Sequence, residues 1–359
     1  MYQRLQIIET DFNDKYLIKH EEKTMYVGFI VRDIVELLIN GNNHLEIHSF
    51  ISNKYSLEID QKTITEIIDD NINPFINKNQ SKSLIKIIKL FDPGKITVPR
   101  ILLNVFEPHY FYLTLLFFAL SNVFISVIAT HHGLASVTEK LIFYPILLIT
   151  LVMHELGHSL CAKKYNVYVN EIGFGLYYIL PVFYVDLNEA WKLDKNKRIL
   201  INLSGIYIQL IVGILFYLLS FLFKSQENIF MSLFFSNFTI VILNLNPFLK
   251  FDGYWILSDL LNENNLNKTS NDIIKNFLKF KSYKQRKVLL VYSFLRMIFI
   301  VFIVFILFKS LHSTIILLAT KENLEWYNFL PIMIIGFFFY RLLIPILKTR
   351  QNANKKRHL

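Results

Sequence analysis

His154-Glu155-Leu156-Gly157-His158 lies inside an apolar run that extends from about Leu141 to Cys161 and ends on Lys163 and Lys164. On a helix, positions i and i+4 share a face, so the two imidazoles of this pentad can bind one metal ion. Glu155 then sits beside that metal as a candidate general base for water. A five-residue pattern arises by chance often enough that it needs a second element. The surrounding residues decide the fold, because a soluble helix has no use for so continuous an apolar stretch.

The whole chain shares that character. Its 359 residues are 53% hydrophobic and include 33 Phe, too apolar for an ordinary pair of soluble domains. One cysteine, Cys161, excludes an internal disulfide. One turn beyond His158, it reads as a small apolar packing residue rather than a ligand. The net charge of +10 is gathered beside the apolar runs, as juxtamembrane lysines are, so nucleic acid is not expected as a partner. The lipid bilayer is.

Long apolar segments near 110 to 130, 139 to 162, 199 to 223, 229 to 257, 288 to 309 and 327 to 346 are each long enough to cross a hydrocarbon core of roughly 30 Å. Leu311 to Ala319 is too short to count as another. Lysines and arginines gather between the second and third spans, between the fourth and fifth, and after the last. The alternate loops hold only Lys140, Lys224, Lys309 and Lys321. The positive-inside rule then places both termini in the cytoplasm of a multi-pass cell-membrane protein. The first hundred residues are polar throughout, without the apolar core of a signal peptide.

Residues 1 to 80 read as a small α+β domain. A strand is expected over Tyr26 to Val31, a helix over Asp33 to Asn40 closed by Gly41, a second helix around Leu45 to Ile51, and a third beginning at Ile59-Asp60. This is a winged-helix-like arrangement. Its acidic residues outnumber its basic ones, which argues against DNA binding. The strand, the Ile-Val-Glu-Leu-Leu-Ile-Asn-Gly helix and turn, and the later Asp-x-x-Thr helix start resemble the PqqD-like peptide-recognition domain of modified-peptide pathways. A purely structural tether is the alternative. Residues 81 to 107 read as a basic juxtamembrane linker, 108 to 347 as the membrane-embedded domain and 348 to 359 as a basic tail.

Charges inside a span cost roughly 2.5 to 3.5 kcal/mol each at its centre, so they mark function. Apparent zinc-binding energies of about 10 to 16 kcal/mol at structural sites can offset several such groups. Two histidines leave a catalytic zinc one protein ligand short. The fourth span supplies a candidate in Asn244-Leu245-Asn246-Pro247-Phe248-Leu249-Lys250-Phe251-Asp252-Gly253-Tyr254-Trp255, where proline and glycine interrupt an apolar helix. Pro247 breaks the ladder, Gly253 relaxes the backbone and Asp252 can be aimed inward as the third ligand.

The paired His-Glu-Leu-Gly-His and Asn-Pro-x-x-x-x-Asp-Gly motifs, in this order and both within spans, resemble the site-2 protease (M50) family of intramembrane zinc metalloproteases. The fuller string from Leu245 to Trp255 resembles its bacterial peptide zinc metalloprotease branch. The resemblance implies zinc on His154, His158 and Asp252, Glu155 as catalytic acid and base, and Asn246 near the site. Asn246 is then either a substrate or oxyanion donor or an amide capping the broken helix. Many family members carry Gly-Pro-x-x-Asn in the next span, whereas this chain has Gly205-Ile206-Tyr207-Ile208-Gln209, and Gln209 either replaces that amide or joins helices.

Glu171 to Asp186 is too short for a helical span and rich in β-formers, and it reads as a re-entrant hairpin lining the site. Its free edge, with Gly173, Phe174 and Gly175, is expected to hold an extended substrate. A hairpin confined to the membrane surface is the alternative. His131 and His132 fall on the far side and read as surface residues. Lys250 either pairs with Asp252, contacts substrate or snorkels outward, and Tyr254 and Trp255 read as interfacial anchors.

Together these readings give an α-helical polytopic membrane protein of about six spans with a winged-helix-like amino-terminal domain and a re-entrant hairpin. The expected activity is a Zn2+ endopeptidase cutting a peptide or membrane protein segment near the cytoplasmic leaflet. Maturation or export of a ribosomally made modified peptide is one setting, with modification enzymes or an exporter as partners. The alternative is a membrane protein that captures or exports a peptide with zinc but does not cut it.

Overall fold

A computed structural model describes residues 2–12, 14–21, 23–77, 84–130, 133–134, 136–177, 180–263, 265–279 and 286–320. The expected span at 327 to 346, the basic tail, and His131 and His132 lie outside these residues. The residues group into two units, Met1–Glu263 and Asn264–Leu359.

The first unit begins with a three-stranded antiparallel sheet, β1 (Leu5–Glu9), β2 (Tyr16–His20) and β3 (Lys23–Val27), in the order β1-β2-β3. The helices α1 (Phe29–Ile39), α2 (His44–Tyr55), α3 (Gln61–Ile67) and, after a π turn, α4 (Asn73–Asn77) follow. The strand expected over Tyr26 to Val31 ends at Val27. Phe29, Ile30 and Val31 open α1, which buries Ile34, Val35 and Leu38 against Ile47, Ile51, Ile64 and Ile68. The three-residue apolar run fits either period, and packing against the helical face decides it. Gly41 stops α1 with a φ of +87°, a conformation that favours glycine. Asn43 and Asp60 cap the next two helices through their side chains.

The segment expected to be a plain basic linker contains strand β4 (Leu84–Phe91). It adds to β5 (Ile172–Tyr177) and β6 (Leu180–Val185) to form a second antiparallel sheet in the order β4-β5-β6. Lys86 pairs with Glu171 and lies over the Tyr184 ring, so one of the linker lysines ties β4 to the hairpin. Two register shifts bend β4 along β5. The short α5 (Arg100–Leu103) leads into the membrane helices.

Among the described residues five helices are long and apolar enough to cross a membrane. They are α6 (Pro108–Ile128), α7 (Val137–Lys164), α8 (Lys195–Leu222), α9 (Glu227–Asn244, with the preceding turn from Lys224) and, in the second unit, α12 (Lys287–Thr320). A capping box between Ser136 and Glu139 starts α7, and Asp194 caps α8. Helix α8 is the hub, packed against α6, α7, α9 and α10 (Asp252–Leu260). Its buried polar groups are bonded across helices: Asn122 of α6 donates to the Leu210 carbonyl at 2.9 Å, and Asn237 of α9 donates to the Gln209 carbonyl at 2.8 Å. Gly213 leaves the room they need, since a Cβ there would lie 2.4 Å from Asn122 Oδ1.

The amino-terminal domain docks on the 3-10 turn between β6 and α8, Asn188–Lys192. Asp11 accepts from Lys197 at 2.7 Å and from the Asp194 backbone N–H at 3.1 Å, Lys19 pairs with Glu189 at 2.8 Å, and Tyr26 donates to the Trp191 carbonyl.

In the second unit, α11 (Leu266–Leu278) packs on α12 (Lys287–Thr320), with Arg296 donating to Asn271 at 2.8 Å. The short apolar stretch from Leu311 to Ala319 continues α12 rather than standing apart.

Candidate metal centre

Helix α7 presents His154 and His158 on one face, both buried, with their Nε2 atoms 3.0 Å apart. Gly157 lets α8 approach this face: a Cβ there would lie 2.6 Å from the Ser204 carbonyl oxygen. Gly205, directly opposite, leaves room for the rings, because its Cβ would lie 2.5 Å from His158 Nε2 and 2.7 Å from His154 Cε1. His158 donates from Nδ1 to the Ile201 carbonyl at 2.7 Å, which leaves its Nε2 as the electron-pair donor facing the cluster.

Asp252 arrives from the other side. Helix α9 ends at Asn244, the chain turns through Leu245 to Phe251, and α10 begins at Asp252 itself. Pro247 sits in that turn, where the helix is already broken. Gly253 does something other than relax the backbone. It is helical, and its missing side chain admits the Leu245 carbonyl, which a Cβ would meet at 2.1 Å. The turn can therefore fold tightly against the start of α10. Asp252 then lies with Oδ2 3.1 Å from His154 Nε2 and Oδ1 3.5 Å from His158 Nε2.

Among the described residues, His154, His158 and Asp252 form a group whose ligand atoms all lie within 4.8 Å of one another. Asp252 Oδ2 is buried and lacks a hydrogen-bond donor. Two imidazole nitrogens and a carboxylate converging at these distances, with His154 Nδ1 and Asp252 Oδ2 buried without a hydrogen bond, fit a cation such as zinc, whose catalytic sites take three protein ligands. Glu155 is half-buried and directly follows His154 on α7.

Asn246 accepts at Oδ1 from the backbone N–H groups of Phe248, at 2.8 Å, and Leu249, at 3.3 Å, so it caps the turn. Its amide N–H2 is the part able to donate elsewhere. Gln209 is fully buried and accepts at Oε1 from Asn244 at 3.4 Å, an inter-helix contact. The Lys250 ammonium lies 5.9 Å over the Tyr254 ring. Tyr254 is 1% exposed, so it is a core residue rather than an interfacial anchor, and Trp255 packs edge-on against Trp191 at 6.0 Å. Cys161 packs with Phe106, Leu200 and Tyr207.

The edge expected at Gly173, Phe174 and Gly175 is not free. These residues lie on β5, the central strand, paired with β4 on one side and β6 on the other. The two glycines admit β4: a Cβ at Gly173 would lie 2.7 Å from the Ile88 carbonyl oxygen, and one at Gly175 would lie 2.5 Å from that of Ile85. Among the described residues, the edge nearer α7 that no strand pairs with belongs to β6. The bond from Asp186 N–H to the Glu171 carbonyl sets the alternation. Residues 182 and 184 turn their backbone groups toward β5, and Pro181, Phe183 and Val185 turn theirs outward. Pro181, with no N–H to offer, suits an edge. At the hairpin's end the Tyr177 and Phe251 rings lie 6.3 Å apart, one residue from Asp252.

Sequence reading missed Ile201 and Gly205. The need of a metal-binding imidazole for an acceptor at its second nitrogen announces a carbonyl partner without saying which. Gly205 was visible only as the one residue kept from a motif whose Pro and Asn are replaced by Ile206 and Gln209.

The model of peptidase family M50 matches residues 142–228, which include His154 and His158. Over 159 residues the chain is 35% identical to the "Putative peptide zinc metalloprotease protein YydH" of Bacillus subtilis, a match covering 42% of this chain and 62% of that one. Over 135 residues it is 31% identical to "Zinc metalloprotease MJ0392" of Methanocaldococcus jannaschii, covering 36% of this chain and 38% of that one. The chain thus spans less than two thirds of the length of these relatives. No solved structure matches. The family match lies on α7 and α8, the helix pair that carries His154, His158 and the Ile201 carbonyl.

Proposed function

We propose that this protein is a zinc endopeptidase that cuts a peptide or membrane protein segment within the bilayer, near the cytoplasmic leaflet. The observation that carries the reading is the convergence of His154, His158 and Asp252, drawn from two elements about a hundred residues apart in sequence, beside Glu155. The names of the two relatives support zinc as the ion.

In this reading His154, His158 and Asp252 hold the zinc. When bound, zinc polarises a carbonyl and lowers the pKa of water toward about 7. Glu155 takes the proton from the attacking water and returns it to the leaving amine. The Ile201 carbonyl fixes the tautomer and orientation of His158. Asn246, with Oδ1 held by the turn, turns its amide N–H2 toward the developing oxyanion.

An amide inside a helix is sterically protected, so the substrate has to be extended where it is cut. The outward edge of β6 offers the Phe183 and Val185 backbone groups for strand addition. That edge takes over the role first read into Gly173, Phe174 and Gly175. In this arrangement the hairpin is re-entrant, both termini are cytoplasmic, and the amino-terminal domain acts as a PqqD-like module that delivers a modified peptide.

Glu155→Gln tests the chemistry. The purified variant is expected to keep its zinc and lose cleavage, and cells carrying it are expected to accumulate the uncut peptide, identifiable by mass spectrometry. Undiminished cleavage by Glu155→Gln would remove this mechanism, and zinc-dependent recovery of intact peptide from the wild type would favour a non-cleaving binder.

A further inference from the structure

Helix α10 is only nine residues long and carries Asp252 at its first position. A short helix places its first residue accurately only if its other end is also held. Asp259 lies seven residues on, two turns along the same face. It accepts from Arg198 Nε at 2.9 Å, and both side chains are almost buried, at 12% and 7% exposure. Arg198 also donates to the Leu193 carbonyl at 2.6 Å. Its guanidinium lies 5.0 Å over the Trp191 ring, which in turn meets Trp255 of α10.

Arg198 stands one turn before Ile201, the residue whose carbonyl orients His158. The first turns of α8 thus fix one imidazole and the far end of α10 together. A buried ion pair adds little net stability, because desolvation offsets the attraction. What it does supply is a fixed geometry, and the proposed hydrolysis uses neither Arg198 nor Asp259.

We infer that Arg198 and Asp259, flanked by Trp191 and Trp255, form a second anchor that sets where α10 presents Asp252 to the two imidazoles. They are positioning residues, and the inference rests on the reading of Asp252 as a zinc ligand. The amino-terminal domain touches the same anchor through Tyr26 and the Trp191 carbonyl.

The test uses the purified full chain in detergent, with zinc affinity measured by chelator competition and the visible absorption of the Co2+-substituted protein as a report of ligand geometry. Asp259→Asn and Arg198→Met are each expected to weaken zinc binding by about 10- to 100-fold and to change the cobalt spectrum, with helical circular dichroism retained. The double variant is expected to be no weaker than the worse single one, because the pair acts as a unit. Should Arg198→Met not fold, Asp259→Asn, which keeps the side-chain shape, decides alone. A folded Asp259→Asn protein with wild-type zinc affinity and an unchanged cobalt spectrum overturns the anchor. A wild type whose zinc binding is indifferent to His154→Ala overturns the metal centre itself, a different failure.

Discussion

Gly205 on α8 faces His158 on α7 so closely that a single added methyl group would stand 2.5 Å from the imidazole Nε2. The helices can approach in this way only because Gly157 answers from the other side. The two glycines press the histidine pair against α8, within reach of the Ile201 carbonyl.

Gly205→Ala is therefore expected to displace one or both imidazoles and weaken zinc binding by about 10- to 100-fold, with helix content unchanged. Chelator competition on the purified variant measures this. Wild-type affinity would mean that the rings have slack that the geometry does not show.

In the proposed mechanism the two halves of the Asn246 amide act separately. Asn246→Asp keeps the oxygen that caps Phe248 and Leu249 and removes the amide donor. Fold and zinc content are expected to persist while kcat falls by about 100- to 1,000-fold, the usual effect of losing an oxyanion donor. A variant with normal kcat would leave Asn246 only its capping role.

The β6 edge gives a third expectation. Phe183→Pro removes an outward N–H and leaves the hydrogen bonds to β5, with loss of the Phe174–Phe183 ring contact that Phe183→Ala controls for. Cleavage should show a raised KM with zinc affinity unaltered. An unchanged KM would move the substrate away from this edge.

Docking of the amino-terminal domain is expected to depend on pH through Asp11. Burial alone would raise its carboxyl, but hydrogen bonds from Lys197 and the Asp194 N–H outweigh that and hold it below the usual range. A depressed carboxyl contributes fully above its unfolded value of about 3.9 and loses its contribution as pH falls through the lower folded value. Protection from hydrogen exchange at residues 188–194, taken relative to the intrinsic rate at each pH, should fall below about pH 4. In Asp11→Asn it should already be lowered at neutral pH and lack that step. Exchange that is equally slow in both proteins would show that Asp11 does not hold the domain.

The membrane helices and the two sequence segments that bring His154, His158 and Asp252 together could be read in the sequence because they are local signals. Apolar length marks a span, i and i+4 spacing marks a shared face, and Pro247 marks a break. What could not be read depends on contacts between distant segments. Strand β4 looked like a basic linker because its lysines carry no sign of the Glu171 that Lys86 meets 85 residues later. Gly173 and Gly175 looked like substrate contacts, and the close approach of β4 that requires them is a tertiary fact. Phe29 to Val31 fit a strand as well as a helix until the α1 face met Ile47 and Ile51. Arg198 and Asp259 lie 61 residues apart with no motif to join them.

The measurement that bears most directly on the whole account joins metal content and cleavage in one preparation. Wild-type protein is expected to hold one zinc, to lose both zinc and peptide hydrolysis to a strong chelator, and to regain both when zinc is returned, while Asp252→Ala regains neither at the same zinc concentration. Hydrolysis that persists undiminished after the zinc has been stripped would contradict it.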